Sequence, residues 1–482
     1  MSHSPVYDIS WTTFHNVINN ELRTTPTTRA TLCPSNEERL WNSPVSGPDD
    51  VMRAVVAARV AFVSWSRLSQ DQRAGYIKRF ADALFAHAPD FIEILVKETG
   101  KQTFAATFEL GLIMSIAQET VKLRLREETL MDNEDETTVI RHVPLGVGVG
   151  IMPWNFPLLM GVGKLIPALL AGNTFIWKPS PHAPYSGLKL AELGAKIFPP
   201  GVFQALSGDE TLGPLLTDHI NVAKVSFTGS VEAGKEVMAA CARTLKRVTL
   251  ELGGNDAAVI CPDVDVDSVA DKVAFLAFSY SGQICRNIRR VYVHERIYDR
   301  FLAVMAERAR NMTSGGKLDF DAQLGPIQNP TSYERLRELY SQIAQQGWET
   351  AVGGDPGPKQ GAGFFLPPTI IDNPPDDSEI VVNEQFGPIL PVLRWSNERD
   401  VIRRVNASRL GLGASVWSRD IPRAERMAKE IEAGTIWVNG HFLLDGKVPL
   451  GGHKESGFGM EWAEEGLKGW CNPQVFWVNK RE

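Results

Sequence analysis

A cysteine in a glycine-containing turn and a glutamate at the end of a predicted strand are the residues of this chain best suited to covalent catalysis. Cys285 ends the run Ser281-Gly-Gln-Ile-Cys285 after a predicted helix, where we expect an accessible thiol that favours its thiolate form. A thiolate is the strongest ready nucleophile among side chains. Glu251 stands 34 positions earlier, before a glycine pair, and its carboxylate could act as the base of a second step. Taken singly both residues are ordinary, because most glutamates are solvated and most single cysteines are inert.

An asparagine between two prolines is suited to stabilise a developing negative charge. Asn155 lies in the loop Pro153-Trp-Asn-Phe-Pro157, which follows the glycine-rich apolar run Val147 to Ile151. The two prolines fix φ and remove backbone donors, so they could hold the amide in one orientation. A fixed amide can donate a hydrogen bond to an oxyanion. The alternative is a rigid turn whose asparagine is satisfied by its own surroundings.

Two motifs at predicted strand ends could hold a phosphate. Phe227-Thr-Gly-Ser230 follows a strand and opens a helix, with Gly229 permitting a tight turn and Ser230 suited to cap the helix. Such a terminus offers free N–H groups and a helix dipole to an anion. The sequence has no G-x-G-x-x-G fingerprint, and this arrangement is common in α/β proteins, so the motif alone is a weak indication. Lys178 could add a positive charge at the same sheet edge, or it could be an ordinary solvated lysine.

The hydrophobic pattern predicts the elements that must position these groups. After an irregular lead, the first 125 residues indicate helices over Asp49 to Trp65, Gln70 to His87, a segment opened by Pro89, and Lys101 to Leu125. Beyond Val143, the predicted strands are Val147 to Ile151, Thr174 to Trp177, Val202 to Leu206, Lys224 to Phe227, Ala257 to Ile260 and Arg290 to His294. The predicted helices between and after them are Tyr185 to Ile197, Ala233 to Leu245, Ser268 to Ser281, Tyr298 to Asn311 and Pro330 to Gln345. Continuous apolar strands separated by helices predict two α/β domains with parallel sheets covered on both faces.

The composition excludes several classes of protein. The chain has 482 residues, with 50 lysines and arginines against 57 aspartates and glutamates and a formal net charge of −7. With 43% apolar and 22% charged residues it has the composition of a soluble globular protein. No basic block gives an electrostatic reason to expect nucleic acid or a membrane as partner. The most apolar segment, Leu158 to Trp177, is interrupted by Lys164, Pro167 and Asn173, so we predict a buried helix followed by a strand instead of a membrane span.

The cysteines and the N-terminus bear on the compartment. Cys33, Cys241, Cys261, Cys285 and Cys471 include no close pair and no C-x-x-C, so they predict neither a disulfide framework nor a metal site. Met1 to Asp8 lack the basic patch and apolar stretch of a secretory signal. We therefore expect a cytoplasmic protein whose cysteines, apart from Cys285, are buried or incidental thiols.

Seven motifs occur in an order that resembles the aldehyde dehydrogenase superfamily, over about Phe14 to Phe476. The matching segments are Pro153-Trp-Asn-Phe-Pro157, Lys178-Pro-Ser, Phe227-Thr-Gly-Ser230, Glu251-Leu-Gly-Gly254, Gly282-Gln-Ile-Cys285, Glu384-Gln-Phe-Gly-Pro388 and Pro449-Leu-Gly-Gly-His-Lys-Glu-Ser-Gly457. The resemblance implies a Rossmann-like cofactor domain, an α/β catalytic domain and a small β oligomerisation arm, in a homodimer or homotetramer. The corresponding ranges are 1–128 and 143–255 for the NAD(P)-binding domain, 256–440 for the catalytic domain, and 129–142 and 458–482 for the arm. The arm takes in two strand-like pieces, Leu130 to Arg141 and Gln474 to Val478.

The resemblance also implies a mechanism. Cys285 attacks an aldehyde, and the oxyanion is held by the Asn155 amide and the backbone N–H of Cys285. Hydride then passes to the nicotinamide, and water activated by Glu251 hydrolyses the thioester to the acid.

The same resemblance implies the residues that hold the cofactor. Lys178, which we also count with the catalytic group, and Glu384 match positions that hold ribose hydroxyls. Ser230 matches the pyrophosphate contact and Phe386 the nicotinamide side. The full cofactor set is Ile151, Met152, Pro153, Trp154, Lys178, Ser180, Pro181, Gly208, Phe227, Thr228, Gly229, Ser230, Leu252, Gly253, Glu384 and Phe386. NAD-preferring relatives often carry a glutamate where this chain has Pro181, so we expect NAD as cofactor with NADP also accepted.

The substrate side departs from the family pattern at two positions. Gly163 stands where many relatives have a large aromatic residue, which indicates a wider funnel for bulky or aromatic aldehydes, unless the space is filled by Phe156, Phe108 or Phe442. Arg286 could bind an anionic substrate or could turn away into a salt bridge. The expected substrate-side residues are Phe156, Gly163, Ile284, Arg286 and Phe442.

Three other functions stay open. A coenzyme-A-acylating dehydrogenase shares the thiol, but those relatives usually lack the water-activating glutamate that is present here as Glu251. A cysteine hydrolase would leave Lys178 and Glu384 without a role. A binding protein that lost catalysis would not need Cys285, Glu251 and Asn155 together.

Overall fold

The computed structural model describes residues 7–315, 323–359 and 361–481, and its first elements are short strands. They are β1 (Asn16–Ile18), β2 (Glu21–Arg23), β3 (Thr28–Leu32) and β4 (Arg39–Pro44). β1 pairs antiparallel with β2, and β3 pairs antiparallel with β4. The irregular lead predicted before Asp49 is therefore wrong. Every residue of β2 is exposed, so its sequence lacks the alternation by which a half-buried strand is predicted.

The predicted N-terminal helices are present. They are α1 (Pro48–Trp65), α2 (Gln70–Ala86), α3 (Ala88–Thr99) and α4 (Thr103–Thr120). Ser69 begins α2 with a capping box: its hydroxyl accepts from Gln72 N (3.2 Å), and the Gln72 side chain accepts from Ser69 N (2.8 Å). α4 ends at Thr120 and not at Leu125, and the strands β5 (Glu128–Asp132) and β6 (Glu136–Pro144) follow. The predicted strand-like piece Leu130 to Arg141 is thus a hairpin.

The next elements alternate strictly between strand and helix. They are β7 (Val147–Ile151), α5 (Pro157–Ala171), β8 (Thr174–Lys178), α6 (Tyr185–Ala195), β9 (Phe203–Ala205), α7 (Leu212–Thr217), β10 (Lys224–Thr228), α8 (Val231–Ala242) and β11 (Arg247–Glu251). Every residue of α5 is buried, as expected for a helix that is apolar all round. The predicted helix and strand within Leu158 to Trp177 are confirmed. Among the described residues, no helix is both long enough and apolar enough to cross a membrane.

The first sheet has its topological switch point between β7 and β10. Its parallel strands lie in the order β9-β8-β7-β10-β11, and β1 and β2 extend the β9 edge. The chain runs outward from β7 through β8 to β9 and then returns to β10 on the other side of β7. In such sheets ligands bind outside the carboxyl ends of the strands at this point. The predicted Rossmann-like fold is confirmed, and the loops after β7 and β10 lie where a cofactor would bind.

A second α/β series forms the other large sheet. Its elements are β12 (Asp256–Ile260), α9 (Val266–Phe278), a 3₁₀ turn (Ser279–Gly282), β13 (Ile288–His294), α10 (Tyr298–Arg310), α11 (Pro330–Gln345), β14 (Thr350–Val352), β15 (Thr369–Asp372), α12 (Glu379–Val382), β16 (Ile389–Trp395), α13 (Glu398–Asn406), β17 (Leu410–Gly411), β18 (Gly413–Trp417), α14 (Ile421–Lys429) and β19 (Thr435–Val438). The sheet order is β14-β15-β16-β13-β12-β18-β19, with only β14 antiparallel. The catalytic α/β unit expected from the sequence has this architecture.

The C-terminal segment returns to the first sheet before it reaches the arm. Its elements are β20 (His453–Lys454), β21 (Gly457–Phe458), α15 (Ala463–Lys468) and β22 (Cys471–Asn479). β21 pairs antiparallel with β11, and α15 packs against α5. The predicted boundary assigned residues 458–470 to the arm. β21 and α15 pack on the first domain instead, so only β22 joins the arm. β22 pairs with β6 along its whole length, and the three-stranded sheet β22-β6-β5 joins the two predicted strand-like pieces.

Candidate active site

A sharply bent loop carries the predicted nucleophile from α9 to β13. Tyr280 and Ser281 have φ of 52° and 51°, and Gly282 follows with φ of 71°. Residues other than glycine rarely adopt this left-handed conformation, and they keep it only where the surroundings hold them. Here the Tyr280 hydroxyl donates to the Thr99 carbonyl (2.8 Å) and the Ser281 hydroxyl donates to the Gly325 carbonyl (2.6 Å). The bend is thus fixed from two different parts of the chain.

The same loop fixes the predicted oxyanion donor. Asn155 Nδ2 donates to the Gln283 carbonyl (2.8 Å), and Asn155 Oδ1 accepts from Phe156 N (3.0 Å). These two bonds determine which side of the amide carries nitrogen. One of the two Nδ2 hydrogens is used, and the other has no acceptor among the described residues. Because Gln283 lies two residues before Cys285, the Asn155 amide is held against the nucleophile's loop.

Cys285 and Glu251 lie within proton-transfer reach of each other. Cys285 Sγ is 3.8 Å from Glu251 Oε1, although the two residues come from different sheets. Burial raises the pKa of Glu251, which is 1% exposed, to about 7. Burial and the Glu251 carboxylate also raise the pKa of Cys285 well above its usual value. Cys285 is partly exposed, as predicted from its turn, but the raised pKa favours the neutral thiol over the predicted thiolate.

Arg286 turns inward and away from any channel to solvent. It is 2% exposed, and its Nη1 donates to Thr435 Oγ1 (2.9 Å). Its Nε lies 4.0 Å from Glu251 Oε1. Of the two possibilities left open by the sequence, the salt bridge agrees with this placement and the binding of an anionic substrate does not.

The loop after β7 and the segment before β16 meet at an aromatic pair. The rings of Trp154 and Phe386 pack edge to face with centroids 5.5 Å apart. Met152 N, which follows Ile151 at the end of β7, donates to the Lys178 carbonyl (3.0 Å) at the end of β8. Residues of the predicted cofactor set from distant parts of the sequence are thus brought together.

Lys178 lies apart from the catalytic group. It ends β8, and β7 and β10 separate it from Glu251 at the end of β11. It is buried, and burial lowers its pKa to about 8, opposed mainly by Glu210. Its ammonium makes no hydrogen bond or ion pair with the described residues. Ser180 and Pro181 follow it, so the structure places Lys178 on the cofactor side only.

The segment after β10 has the helix N-terminus that the sequence predicts. Ser230 caps α8 by accepting from Ala233 N (3.2 Å), and Gly229 N donates to the Glu251 carbonyl (3.2 Å). The preceding Thr228 accepts through Oγ1 from Lys164 Nζ (2.7 Å). The hydroxyl of Ser230 therefore contributes first to the helix cap. Phe227 lies in β10 and Gly208 lies between β9 and α7. Both are buried in the first domain.

The glycine pair after Glu251 lets a carboxylate approach the backbone. Gly254 N donates to Glu384 Oε1 (3.2 Å), and a Cβ added at Gly253 would collide with the Glu384 carboxylate. Burial raises the pKa of Glu384 to about 7. Leu252, between Glu251 and the glycine pair, packs against Gly234 of α8.

These observations fit a dinucleotide at the switch point of the first sheet. The loops after β7 and β10, the α8 N-terminus and the Glu384 carboxylate border one crevice, in which Lys178 is a buried cation without a protein partner. An ammonium of this kind is suited to ribose hydroxyls or a phosphate. The residues present therefore suit the cofactor that the sequence implies.

Gly163 faces an indole and not a channel. A Cβ at this position of α5 would collide with Nε1 of the buried Trp462. The wider funnel predicted from Gly163 is therefore wrong, because a tryptophan far away in the sequence fills the space. The nearest atoms are those of Trp462 and not those of the three aromatic alternatives, Phe156, Phe108 or Phe442.

Three of the expected substrate-side residues do come together. Phe156 and Ile284 belong to one buried apolar cluster, and Phe442 packs against it. The Phe442 ring also lies 6.1 Å from that of the exposed Phe108. Because Phe156 follows the oxyanion donor and Ile284 precedes the nucleophile, this apolar surface adjoins the reacting groups.

Two buried charged residues and a histidine near the catalytic group escaped the sequence analysis. Lys164 is ion-paired with Glu461, both side chains being almost fully buried. His441 bonds to the carbonyl of Arg286 (3.0 Å). A lysine inside an apolar helix was the one available signal, since lysine is almost never fully buried without a partner. No local pattern indicates Glu461 or His441, which reach the site only through the fold.

Comparison with known proteins agrees with this geometry. Residues 22–476 match the aldehyde dehydrogenase family. The "Putative aldehyde dehydrogenase FUS7" of Gibberella fujikuroi is 38% identical over 98% of this chain and 100% of that protein. The NAD+ complex of a Bacillus cereus aldehyde dehydrogenase has a TM-score of 0.94 and 31% identity, over 97% of this chain and 96% of that one. A Staphylococcus aureus betaine aldehyde dehydrogenase in complex with NAD+ has a TM-score of 0.94 and 29% identity, over 97% and 95%. The chain belongs to the aldehyde dehydrogenase family.

Proposed function

We propose that this chain oxidises an aldehyde to the carboxylic acid with reduction of NAD(P)+, through a thioester on Cys285. The observation that carries the proposal is the 3.8 Å approach of Cys285 Sγ to Glu251 Oε1, beside an asparagine amide with one free N–H. A nucleophile, a base and an oxyanion donor are the three groups that acyl transfer requires.

In the first half of the reaction the thiol must lose its proton. Glu251 is placed to accept it, and the sulfur then attacks the aldehyde carbon. Negative charge develops on the carbonyl oxygen, where the second Nδ2 hydrogen of Asn155 and the backbone N–H of Cys285 can donate to it. A bound nicotinamide would supply the two-electron acceptor that turns the adduct into a thioester.

Before the second half Glu251 passes the thiol's proton to solvent, which is the proton released in the overall reaction. It then removes a proton from water, the water attacks the thioester carbon, and this second proton returns to the departing sulfur. The carbon–sulfur bond breaks, and the acid and the free thiol result. A carboxylate with a pKa of about 7 is well matched to this task near neutral pH. The presence of Glu251 next to the sulfur favours hydrolysis over transfer of the acyl group to coenzyme A.

For the cofactor we propose NAD, with NADP also accepted. The solved relatives named above bind NAD+. In this chain Lys178, Glu384 and the α8 N-terminus would hold the ribose and phosphate groups. Pro181 leaves no negative charge to repel a 2′-phosphate at that position.

For the substrate we propose a neutral, apolar aldehyde, aromatic ones included. Phe156, which follows Asn155, and Ile284, which precedes Cys285, are apolar, and the apolar Phe442 packs against the same buried cluster. Lys101 Nζ lies 4.0 Å from the centroid of the Phe156 ring, so the aromatic face that could attract a cationic substrate already carries a cation. Betaine aldehyde, the cationic substrate named for some relatives, is therefore disfavoured.

For the assembly we propose a homodimer or homotetramer that forms through β22. Val475, Phe476 and Trp477 are exposed on this edge strand. Exposed apolar residues on a strand with one unpaired edge favour association.

The five cysteines form no disulfide in the structure, which supports a reducing compartment such as the cytoplasm.

The test is an absorbance assay of cofactor reduction with benzaldehyde, hexanal and betaine aldehyde, each with NAD+ and with NADP+. We expect the apolar aldehydes to be oxidised and Cys285→Ala to abolish the reaction. Cys241→Ala is the matched control, because that cysteine is buried near the C-terminal end of α8, opposite the end that Ser230 caps, and its loss should keep the activity. Adding coenzyme A should leave the product as the free acid. Turnover by Cys285→Ala, or formation of an acyl-coenzyme A, would contradict the proposal.

A further inference from the structure

We infer that Arg286, the residue directly after the nucleophile, is a positioning residue for Glu251 that holds its carboxylate as an oriented anion during thioester hydrolysis. This inference rests on the function proposed above, because it assigns a role within the second half of that reaction. The role belongs to the side chain of Arg286 and does not require contact with substrate or cofactor.

The guanidinium of Arg286 is anchored on the side away from Glu251. Nη1 donates to Thr435 Oγ1 (2.9 Å), and Nη2 approaches the Gly451 carbonyl (3.5 Å). These contacts leave Nε directed toward the base, 4.0 Å from Glu251 Oε1. The arginine therefore presents a fixed charge to the carboxylate.

The backbone of Arg286 is held as firmly as its side chain. Burial lowers the pKa of His441 to about 3, so its ring is neutral. Its Nε2 lies 3.0 Å from the Arg286 carbonyl and must carry the proton, while Nδ1 accepts from the Ser415 hydroxyl (3.0 Å). Ser415 in turn accepts from Trp417 Nε1 (2.9 Å). Both ends of the arginine are thus locked.

Among the described residues, Arg286 is the cation near Glu251 that forms no ion pair with another carboxylate. The charged groups facing Glu251 are Arg286, Lys164 and Glu461, together with the thiol of Cys285. Lys164 and Glu461 pair with each other, so their effects on the Glu251 carboxylate largely cancel. Arg286 also acts on Asp256, but that carboxylate is served by two further arginines, Arg289 and Arg290.

Glu251 and Arg286 each have one buried polar atom that makes no hydrogen bond to a described residue. Glu251 Oε2 and Arg286 Nε both lack a hydrogen-bond partner among the described residues. A buried polar atom without a partner is costly, and such atoms usually mark a functional constraint. Glu251 Oε1 is the oxygen that both groups approach, with the sulfur at 3.8 Å and Arg286 Nε at 4.0 Å, so the thiol and the cation act on the same carboxylate atom.

The electrostatic consequence has a definite sign. Removing an opposite charge within about 4–6 Å raises the pKa of a carboxylate by about 1–3 units. Glu251 must be ionised to take a proton from water. Without Arg286 the base is therefore protonated up to a higher pH, and thioester hydrolysis falls at neutral pH but recovers at alkaline pH.

The experiment compares Arg286→Met with Arg286→Lys in the full-length chain, by kcat against pH and by the first-turnover burst of reduced cofactor. We expect Arg286→Met to move the midpoint of the rising limb upward by about one unit or more. At pH 7 the steady rate should fall about tenfold and the burst rate should fall with it, because Glu251 is the base in both halves of the proposed reaction. Arg286→Lys keeps the charge and should restore the wild-type midpoint.

Two more variants separate positioning from mere structural support. Arg290→Met removes another buried arginine, whose guanidinium bonds to Asn255 and Val405 and not to Glu251. It should lower thermal stability and leave the midpoint unchanged. Thr435→Val loosens the anchor of Arg286 and should move the midpoint in the same direction by a smaller amount, which gives an answer even if Arg286→Met does not fold.

The outcomes are distinguishable from failure of the proposed function. An unchanged midpoint in both Arg286→Met and Thr435→Val would overturn this inference, as would a loss of activity in Arg286→Met that is equal at every pH. Absence of any aldehyde oxidation by the wild-type chain would instead overturn the proposed function.

Discussion

Cys285 keeps its proton at rest because burial and the neighbouring carboxylate both favour the neutral thiol. The proton can pass to Glu251 only when a carbonyl is present to take up the developing negative charge. Asn155 then becomes the residue on which the first step depends, since its free N–H is fixed before substrate arrives.

Asn155→Ala tests this arrangement at the residue scale. Loss of one oxyanion donor costs about 10²–10³ in kcat in comparable sites. We expect a loss of this size in the burst rate as well as in the steady rate, because the donor acts in both halves of the reaction. The measurement is stopped-flow absorbance of reduced cofactor. A burst rate equal to that of the wild type would show that the oxyanion is stabilised elsewhere.

The sequence was sufficient to single out the three residues of the proposed mechanism and insufficient to describe their states. Asn155, Glu251 and Cys285 each lie in a motif of fixed spacing, so a resemblance could identify them. The protonation of Cys285 depends on burial and on a carboxylate from another sheet, and neither is visible in a local pattern. The wider funnel predicted from Gly163 was wrong for the same reason, because Trp462, which fills the space beside Gly163, is distant in the sequence.

At the scale of elements, α4 supplies the anion that caps α5. Glu109 Oε1 accepts from Leu158 N and Leu159 N, both at 3.0 Å, in the first turn of α5. Helix N-termini leave such N–H groups unsatisfied, and a carboxylate is favoured there. Lys101 is ion-paired with Glu109 and contacts the Phe156 ring. The turn that carries Asn155 is therefore held from α4.

Glu109→Gln should destabilise the chain and disturb catalysis together. Removing one member of a buried ion pair costs about 3–5 kcal/mol, because the remaining charge is left unpaired. We expect a loss of this order in the free energy of unfolding, measured in urea, with a lower kcat. The double variant Lys101→Met with Glu109→Gln should recover part of the stability. A loss below about 0.5 kcal/mol for the single variant would contradict this account, since that is the effect of an ordinary surface change.

Among the elements, predictions succeeded where one face of a segment is consistently buried. The helices α1 to α4 have a helical spacing of apolar residues, and the central strands are continuously apolar because both faces are covered. β1 to β4 have neither feature. β1 joins the first sheet by pairing with the distant β9, and β2 to β4 are short strands of local hairpins, so their sequences give little local signal.

At the scale of the whole molecule, the arm ends in an uncovered apolar strand. β22 is the edge of its sheet, and Val475 is 60% exposed. Val475→Glu should therefore lower the molecular mass measured by light scattering toward that of one chain. Leu245→Glu is the matched control, because it makes the same charge change at a residue that is 88% exposed outside the arm. Equal masses for the two variants would count against assembly through β22.

Glu251 ends a strand of the first sheet, and Cys285 precedes a strand of the second. The 3.8 Å between their side chains is therefore a measure of how the two sheets are aligned. A displacement of about one ångström between the sheets can reduce catalysis about a hundredfold while every helix and strand stays intact. Catalytic activity is therefore sensitive to the alignment of the two sheets. We expect a low concentration of denaturant to abolish turnover before circular dichroism shows any loss of secondary structure.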